Sequence, residues 1–243
     1  MVNPLSGQVA LVTGASSGIG EALARALGAC GARLGLVGRR LEAIEIVAQA
    51  MGSASPCVRC YVIDLSVEAQ LQSLARRVQE DFGGVDVLIH SAGAFAQARL
   101  GVASPAEFDR LYRINLLAPH SLTRLLSPSL RARRGQVVFI NSSVARGARA
   151  GLSQYAATKV ALKAVADSLR EEFNPEGVRV LSVFVGRTAT PMQKAIFEQE
   201  GRKYTPERLL QPADIGAVVI NCLSLPRTAE VTEIDIRPMM KAW

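Results

Sequence analysis

The chain has 243 residues, 49% hydrophobic and only 5% aromatic, and carries a formal net charge of +7. This length suits one large α/β domain or two small ones. The basic residues are dispersed and are not interleaved with aromatic side chains, so we predict no nucleic-acid partner. A small ligand that bears phosphate fits the positive charge better.

The amino-terminal residues 1–7 lack the charged and then apolar segments of a signal peptide. No apolar run approaches the ~18 residues of a membrane-spanning helix, so we expect a soluble, cytoplasmic protein with no membrane partner. Cys57 and Cys60 have the spacing of a redox motif. They lead into an apparent strand, on which positions three apart point to opposite faces. We therefore predict reduced structural thiols, and we predict no metal site.

Short apolar runs alternate with amphipathic segments along the whole chain. The predicted strands are 8–13, 33–38, 58–63, 85–90, 136–141, 178–185 and 231–236. The predicted helices are 19–30, 40–51, 67–82, 105–131, 154–173 and 212–224. This alternation predicts a parallel sheet covered by helices on both faces, in one domain spanning 1–243. Segment 186–211 breaks the rhythm, which predicts a loop or lid with short helical pieces.

A glycine-rich turn joins the first predicted strand to the first helix. In T-G-A-S-S-G-I-G, Gly14, Gly18 and Gly20 let the backbone approach a ligand, and the helix start presents free N–H groups to a pyrophosphate. Ser16 and Ser17 can add hydroxyl donors. The same letters match the hydrolase pattern G-x-S-x-G. That chemistry needs a histidine late in the chain, whereas the two histidines present, His90 and His120, both come earlier.

The second predicted strand ends in Val37-Gly38-Arg39-Arg40. An NAD site usually has an acidic residue here, which accepts hydrogen bonds from the ribose 2′-hydroxyl. Arginines instead bind a 2′-phosphate through charge-assisted hydrogen bonds. The sequence therefore predicts NADP(H) as the cofactor rather than NAD(H).

Two further strand ends carry candidate cofactor contacts. Asp64-Leu65 follows the third strand, where Asp64 either caps the next segment or bonds an adenine amino group. The fourth strand ends in His90-Ser91-Ala92-Gly93, whose small residues allow close packing against a ribose and nicotinamide. We expect His90 itself to be a packed residue and not a catalyst.

Tyr155 and Lys159 stand four positions apart in S-Q-Y-A-A-T-K, so on a helix they are neighbours on one face. Alone, this pattern also describes an ordinary surface pair. With the glycine turn, Ser142 thirteen positions before the tyrosine, and Asn115 in Y-R-I-N-L-L, the whole chain resembles the short-chain dehydrogenase/reductase family. G-R-T-A-T-P-M is similar to the family's segment after strand six.

The resemblance implies a single-domain, Rossmann-like, doubly wound parallel sheet and oxidoreduction of an alcohol–carbonyl pair. Tyr155 is expected to be the general acid and base, Lys159 to lower its pKa, Ser142 to hold the substrate oxygen, and Asn115 to position a water. The expected cofactor-binding residues are Gly14, Ser16, Ser17, Gly18, Ile19, Gly20, Arg39, Arg40, Asp64, Leu65, Ser91, Ala92, Gly93, Tyr155, Lys159, Gly186, Thr188 and Thr190. The resemblance also implies a homodimer or homotetramer.

The chain departs from the family pattern at His90-Ser91, where the family often has two asparagines, and at Val185, where it usually has proline. An NADP(H)-binding sensor or scaffold without turnover is the alternative function. The substrate pocket is expected from 94–103, 144–152 and 187–211, with an apolar lining and a basic rim that suit a carbonyl compound carrying an acidic group. The rim candidates are Arg99, Arg146, Arg149, Lys194, Arg202 and Lys203.

Overall fold

A computed structural model describes residues 5–240 and shows alternating strands and helices throughout. The strands are β1 Val9–Thr13, β2 Arg33–Gly38, β3 Val58–Val62, β4 Val87–His90, β5 Gln136–Ser142, β6 Arg179–Val185 and β7 Glu233–Ile236. The helices are α1 Gly18–Ala29, α2 Leu41–Met51, α3 Glu68–Phe82, α4 Pro105–Tyr112, α5 Ala118–Ala132, α6 Ser153–Phe173, α7 Pro191–Gln199 and α8 Pro212–Leu223. The seven predicted strands are confirmed.

The seven strands form one parallel sheet in the order β3-β2-β1-β4-β5-β6-β7. The chain order reverses between β1 and β4, and in such sheets this switch point opens a crevice at the carboxyl ends of the strands. The residues of β1 are all buried, and those of β5 and β6 nearly all. Burial on both faces explains their unbroken apolar sequences. The single-domain prediction of a doubly wound sheet is confirmed.

Two apolar cores lie on the two faces of the sheet. One packs α1, α2 and α8 against strand residues such as Val12 and Val183, and the other packs α3, α5 and α6 against residues such as Leu11 and Phe139. Because the sheet alternates its side chains, each of the strands β1 to β6 contributes to both cores, whereas β7 contributes only to the first. Within residues 5–240, no helix has the length and apolar character needed to cross a membrane. The prediction that residues 1–7 form no signal peptide depends in part on residues 1–4, which lie outside the described residues.

The predicted continuous helix 105–131 is interrupted. A π-helical turn, Arg113–Leu117, separates α4 from α5. Pro119 has no backbone N–H, so it cannot donate the α-helical hydrogen bond to the carbonyl group of Asn115 four residues earlier. This missing bond accounts for the change of winding at Asn115, and π-turns are frequent at functional sites.

Candidate active site

The hydroxyl group of Thr13 ties the ends of β1 and β4 together. Its oxygen donates to the carbonyl oxygen of Ile89 over 3.2 Å and accepts hydrogen bonds from the N–H groups of Ser91 and Ala92, each at 3.2 Å. Next to it, a Cβ atom on Gly14 would stand 2.8 Å from the Cα of Ala92. Only glycine therefore allows the two strand ends to approach this closely. Sequence reasoning missed Thr13, although it stands first in the glycine motif.

Helix α1 begins at the crevice with open N–H groups. Its first residue, Gly18, has a positive φ of 58°, and the side chain of the preceding Ser17 makes no capping hydrogen bond. The carbonyl oxygen of Ser17 accepts from the N–H of Glu21 over 3.3 Å, which leaves the earlier N–H groups of the first turn available. This donor set fits a pyrophosphate, as the glycine turn predicts.

Gly38, at the end of β2, has no room for a side chain. A Cβ atom there would lie 2.6 Å from Cγ2 of Ile44, so an acidic residue cannot stand at this position without moving the core. Arg39 and Arg40 follow and are both exposed. Neither guanidinium group has a hydrogen-bond or ion-pair partner in the part of the chain that the structure describes. Two unpaired cations and no carboxylate at this point fit a 2′-phosphate.

Asp64 stabilises its own turn. Its carboxylate accepts hydrogen bonds from the N–H and hydroxyl groups of Ser66 at 2.9 and 2.6 Å, and these bonds, with a smaller contribution from Arg39, lower the pKa of Asp64. Helix α3 begins later, at Glu68 after Val67. Of the two roles left open, the structure supports a turn and not the cap of α3. The contact with adenine stays a prediction, as does the one assigned to Leu65.

Tyr155, Lys159 and Ser142 lie together, as the spacing predicts. Tyr155 and Lys159 stand on successive turns of α6, and Ser142, at the end of β5, lies close enough to the Tyr155 hydroxyl group to affect its pKa. The Lys159 ammonium group, in a residue only 5% exposed, donates to the carbonyl oxygen of Ile140 over 3.1 Å. Ser142 Oγ accepts from the N–H of Val144 over 3.3 Å, which leaves its own proton free for an oxygen in the crevice.

Burial sets the proton affinities of this group. Burial raises the pKa of Tyr155, and the nearby Ser142 hydroxyl group only partly opposes that rise. Burial also lowers the pKa of Lys159 to about 8, so the ammonium form still predominates at neutral pH. The expected lowering of the Tyr155 pKa by Lys159 is therefore not what these side chains produce by themselves, and it stays a prediction for the loaded site.

Asn115 is locked in place by the neighbouring loop. Its amide oxygen accepts from the N–H of Ala94 at 2.8 Å, and its amide nitrogen donates to the carbonyl oxygen of Ala94 at 2.9 Å and to the hydroxyl group of Thr158 at 3.2 Å. The Thr158 hydroxyl group in turn donates to the carbonyl oxygen of Tyr155 over 2.8 Å. Asn115 thus joins the loop after β4 to the catalytic turn of α6. Its predicted role in positioning a water is not tested.

Sequence reasoning missed Asn141, and it expected Phe95 only as part of the substrate pocket formed by 94–103. The Asn141 side chain accepts from the N–H of Ser142 over 2.8 Å and donates to the carbonyl oxygen of Lys159 over 3.1 Å, which fixes β5 against α6. A buried asparagine inside an apolar strand was the available signal. The Phe95 ring packs edge-to-face on the Tyr155 ring, with centroids 5.0 Å apart. It covers one side of the phenol.

The segment 186–211 contains α7 as well as loops. Thr190 caps α7 by accepting from the N–H of Gln193 over 3.1 Å, and a Cβ atom on Gly18 would lie 2.9 Å from the Thr190 methyl group. Thr188 donates to the carbonyl oxygen of Gly186 over 3.0 Å. The start of α7 therefore lies on the glycine turn, close to the predicted cofactor contacts of Thr188, Thr190 and Gly186, which stay predictions.

A charged cluster holds the far end of α7. Arg187 makes a bidentate ion pair with Glu200 at 2.7 and 3.0 Å, and Arg202 pairs with the same carboxylate at 3.3 Å. Both guanidinium groups also stack on the buried ring of Phe197, at 4.8 and 5.2 Å from its centroid. The expectation that Arg202 belongs to a free basic rim is therefore wrong, because Glu200 neutralises it.

Arg146 corrects the same expectation on the other side of the crevice. It pairs with Glu233 at 2.6 Å and Asp235 at 2.9 Å, and it stacks on Phe184 at 3.6 Å. This side chain fixes the loop after β5 to β7 and is not free to bind a substrate. Of the predicted rim cations, Arg99, Arg149, Lys194 and Lys203 have exposed side chains without a hydrogen-bonded partner among residues 5–240.

His90 is a packed residue, as predicted. It is buried, stacks on Phe139 with centroids 5.0 Å apart, and its Nε2 lies 2.8 Å from the hydroxyl oxygen of Thr123. Because that hydroxyl donates to the carbonyl oxygen of Pro119, Nε2 is the donor to Thr123. Burial lowers the pKa of His90 to about 3. This neutral ring bonds no serine, which removes the histidine that a hydrolase needs.

The cysteines and the acidic residues offer no alternative chemistry. The four cysteines, Cys30, Cys57, Cys60 and Cys222, are free thiols. Burial, with a smaller contribution from Glu45, raises the pKa of Cys60, which opposes formation of a reactive thiolate. Residues 5–240 contain no group of three or more His, Cys, Asp or Glu side chains placed to hold a metal ion.

The strand order and the glycine turn at the switch point define a Rossmann-type dinucleotide-binding fold. Its sequence then assigns the family: residues 8–201 match the pattern described as "short chain dehydrogenase", and the chain belongs to this family of oxidoreductases.

Three similar proteins illustrate the range of the family. The chain is 33% identical over 240 residues to glycine betaine reductase ATRR of Emericella nidulans; the match covers 97% of this chain but 19% of that protein, so the chain spans about a fifth of this relative. A metagenomic short-chain oxidoreductase in complex with NADP is 32% identical, with a TM-score of 0.84 and coverage of 98% and 99% of the two chains. The 3-ketoacyl-(acyl-carrier-protein) reductase of Brucella melitensis, complexed with NADH, is 28% identical, with a TM-score of 0.84 and coverage of 96% and 97%.

Proposed function

We propose that this protein is an NADP(H)-dependent oxidoreductase that interconverts an alcohol and a carbonyl compound. One observation carries the proposal: Tyr155, Ser142 and Lys159 meet at the crevice where the open start of α1 is also found. A binding protein has no need of a phenol and a serine hydroxyl group placed near a buried ammonium group. The buried cation costs folding free energy, which favours a chemical role.

NADP(H) is favoured over NAD(H) by the end of β2. The crowding at Gly38 excludes a carboxylate, and Arg39 and Arg40 are unpaired there. The metagenomic relative is described in complex with NADP, and the Brucella reductase in complex with NADH, so the family accommodates both. The arginines of this chain favour the phosphorylated cofactor.

The residues would divide the chemistry as follows. The bound cofactor supplies or accepts the hydride at the substrate carbon. In reduction, Tyr155 donates its phenolic proton to the substrate oxygen, and in oxidation it removes the same proton. Ser142 donates a hydrogen bond to that oxygen and stabilises the charge that develops on it. Lys159, protonated at neutral pH, stabilises the phenolate that remains after the transfer.

Segment 186–211 is proposed to be the substrate lid, because α7 rests on the glycine turn at one end and is held by Glu200 at the other. We further propose a homodimer or homotetramer, as the family resemblance suggests. The four free thiols are consistent with a reducing compartment such as the cytoplasm.

The alternative is an NADP(H)-binding protein without turnover, and the raised pKa of Tyr155 is the observation that favours it. A screen of carbonyl compounds that follows NADPH absorbance separates the two. With a substrate in hand, Tyr155→Phe should lower kcat by about a hundredfold or more and leave the Kd for NADPH within twofold. Tyr112→Phe, which removes an exposed phenol on α4, is the control and should keep its activity. Full activity of Tyr155→Phe would refute the assignment.

A further inference from the structure

Two loops form one side of the entrance to the site, and they are joined to each other. The N–H of Ala98 donates to the carbonyl oxygen of Gly151 over 2.9 Å, and the Gln154 side chain donates to the carbonyl oxygen of Ser104 over 2.9 Å. Loop 94–104 therefore lies against the segment that leads into Tyr155. Arg99 directly follows Ala98, and Arg149 lies two residues before Gly151. The two arginines therefore stand on segments that are hydrogen-bonded to each other.

Both arginines are within reach of the catalytic phenol. Arg99 comes four residues after Phe95, whose ring packs on Tyr155, and four residues of chain span at most about 14 Å. Arg149 comes six residues before Tyr155, a span of at most about 21 Å. The side chains themselves add further reach. These chain lengths set an upper limit on the distance of each arginine from the phenol, and a long aliphatic substrate can span distances of that order.

The charges at this entrance are not balanced. Segments 94–103 and 144–152 contain three arginines and no acidic residue. Arg146 is neutralised by Glu233 and Asp235, whereas Arg99 and Arg149 have no such partner among the residues described. Elsewhere in the structure many arginines pair with a carboxylate, as Arg110 does with Glu107. Other arginines without an ion pair among residues 5–240 occur on the surface, Arg76 among them, but the two segments at the entrance hold two of them and no acidic residue of their own.

Apolar surface lies beside these cations. Leu100 and Val102, on a short 3₁₀ turn directly after Arg99, are 82% and 80% exposed. Exposed aliphatic side chains next to unpaired guanidinium groups are complementary to a molecule with an aliphatic part and an anionic part. A neutral aliphatic substrate would contact the apolar side chains but would leave the guanidinium groups without a counter-ion.

We propose that the substrate is an aliphatic oxo or hydroxy compound with an anionic group, a carboxylate or a phosphate, which Arg99 and Arg149 bind at the entrance. This inference rests on the proposed function for the identity of the reacting carbon. It corrects the wider basic rim expected from the sequence, because Arg146 and Arg202 are committed to ion pairs. Arg99 and Arg149 are specificity-determining residues and take no part in the proton transfer.

Binding is the first test, because it does not depend on turnover. The full chain, saturated with NADP⁺, is titrated calorimetrically with decanoate, decyl phosphate and decanol. We expect at least one of the two anions to bind more tightly than decanol, and the double variant Arg99→Gln/Arg149→Gln to weaken that binding by about tenfold. Tighter binding of decanoate identifies a carboxylate, and tighter binding of decyl phosphate a phosphate. The Kd for decanol should change less than twofold.

Arg76→Gln is the matched control, since Arg76 is an exposed arginine on α3, away from the entrance. It removes one positive charge, half of the change in the double variant, and should leave all three Kd values unchanged. An anion affinity that Arg76→Gln lowers as much as the double variant does, or that the double variant leaves unchanged, overturns the proposal. Absence of anion binding by the unsubstituted protein also overturns the proposal. Equal thermal midpoints of the two proteins show that the double variant is folded.

Turnover is the second test. Aliphatic oxo acids and their methyl esters are compared as substrates with NADPH, and we expect the acids to have the lower KM. The double variant should raise KM for the acids about tenfold with kcat nearly unchanged. It should leave KM for the methyl esters unchanged. Equal KM for acid and ester overturns the proposal. Loss of all turnover with intact anion binding would instead count against the proposed function and leave this inference standing.

Discussion

The ammonium group of Lys159 donates a hydrogen bond to the carbonyl oxygen of Ile140 over 3.1 Å, and so connects α6 to β5 beneath the catalytic phenol. No carboxylate contributes to the shift in its pKa, which burial alone lowers to about 8. An isolated buried cation destabilises the folded state, because its charged form loses solvation. The position of Lys159 is therefore one at which function and stability oppose each other.

Lys159→Met should abolish most turnover without lowering the stability of the protein. At pH 7 the depressed pKa corresponds to a destabilisation of about 3 kcal/mol, which the variant removes. For the wild type, the penalty is fully present below pH 8 and disappears between pH 8 and the unfolded value of 10.5. Urea unfolding at pH 7 and pH 10 measures both effects. Lys163→Met is the control with the opposite sign, since ion pairs with Asp167 and Glu233 raise the pKa of Lys163. A large loss of stability in Lys159→Met would contradict this account.

Replacing Arg39 and Arg40 together by glutamine should weaken NADPH binding by about tenfold or more and leave NADH binding within twofold. Each guanidinium group can form charge-assisted hydrogen bonds with the 2′-phosphate, which NADH lacks. Both side chains are exposed, so the loss should shrink as salt is raised. Fluorescence titration with each cofactor at two ionic strengths tests this. Equal weakening for both cofactors would point to damage of the crevice and away from phosphate recognition.

His90 should make the protein sensitive to mild acid. In the folded protein the pKa of His90 is about 3, below the ordinary 6.5. Between these two pH values the unfolded chain therefore binds a proton at His90 that the folded chain does not bind. The stability contributed by the neutral ring is present above pH 6.5 and decreases as pH falls toward 3, by about 2 kcal/mol between pH 7 and pH 5.

His90→Asn should reduce this pH dependence, whatever its effect on absolute stability. His120→Asn is the matched control, because His120 is the other histidine of the chain and is exposed. Urea unfolding at pH 5 and pH 7 gives the difference for each protein. If His90→Asn keeps the full difference, the acid sensitivity comes from other groups.

Glu200→Gln should loosen α7. The carboxylate holds Arg187 and Arg202 together in a partly buried cluster, and the substitution removes the counter-ion that these two guanidinium groups share on Phe197. We expect hydrogen exchange in 191–199 to become severalfold faster, with a rise in substrate KM. The stabilisation by Glu200 should also depend on pH. The pKa of Glu200 is lowered, mainly by Arg187, so this carboxylate stabilises the cluster at neutral pH and the stabilisation is lost in acid.

Asp109→Asn provides the comparison, because the Asp109–Arg113 pair is exposed and spans one helical turn. Exposed pairs of this kind contribute little to stability, because water and salt screen them. Its exchange pattern in α7 should match that of the wild type. Unchanged exchange in both variants would show that Phe197 alone holds the helix.

Local sequence patterns were sufficient to predict most of the strands and the central residue pair of the site, Tyr155 and Lys159. The spacing of Tyr155 and Lys159 predicted one helical face, and the apolar runs predicted the buried strands, because both depend on neighbours within a few residues. The π-turn escaped prediction, although Pro119 four residues after Asn115 was its visible cause. The pairing of Arg146 with Glu233 could not be read at all, since these residues are 87 positions apart and meet only through the order of the strands.

The contact of Thr13 with Ile89 also has a consequence for how the chain is made. Strand β1 is flanked by β2 and by β4, so one of its sides stays open until residues 87–90 have left the ribosome. A nascent chain that ends before residue 87 contains the glycine turn but lacks β4, the strand whose end packs against that turn. We therefore expect the amino-terminal third to gain protease resistance only after β4 is synthesised, and refolding of the complete chain to be slow, as in other proteins dominated by distant strand pairing.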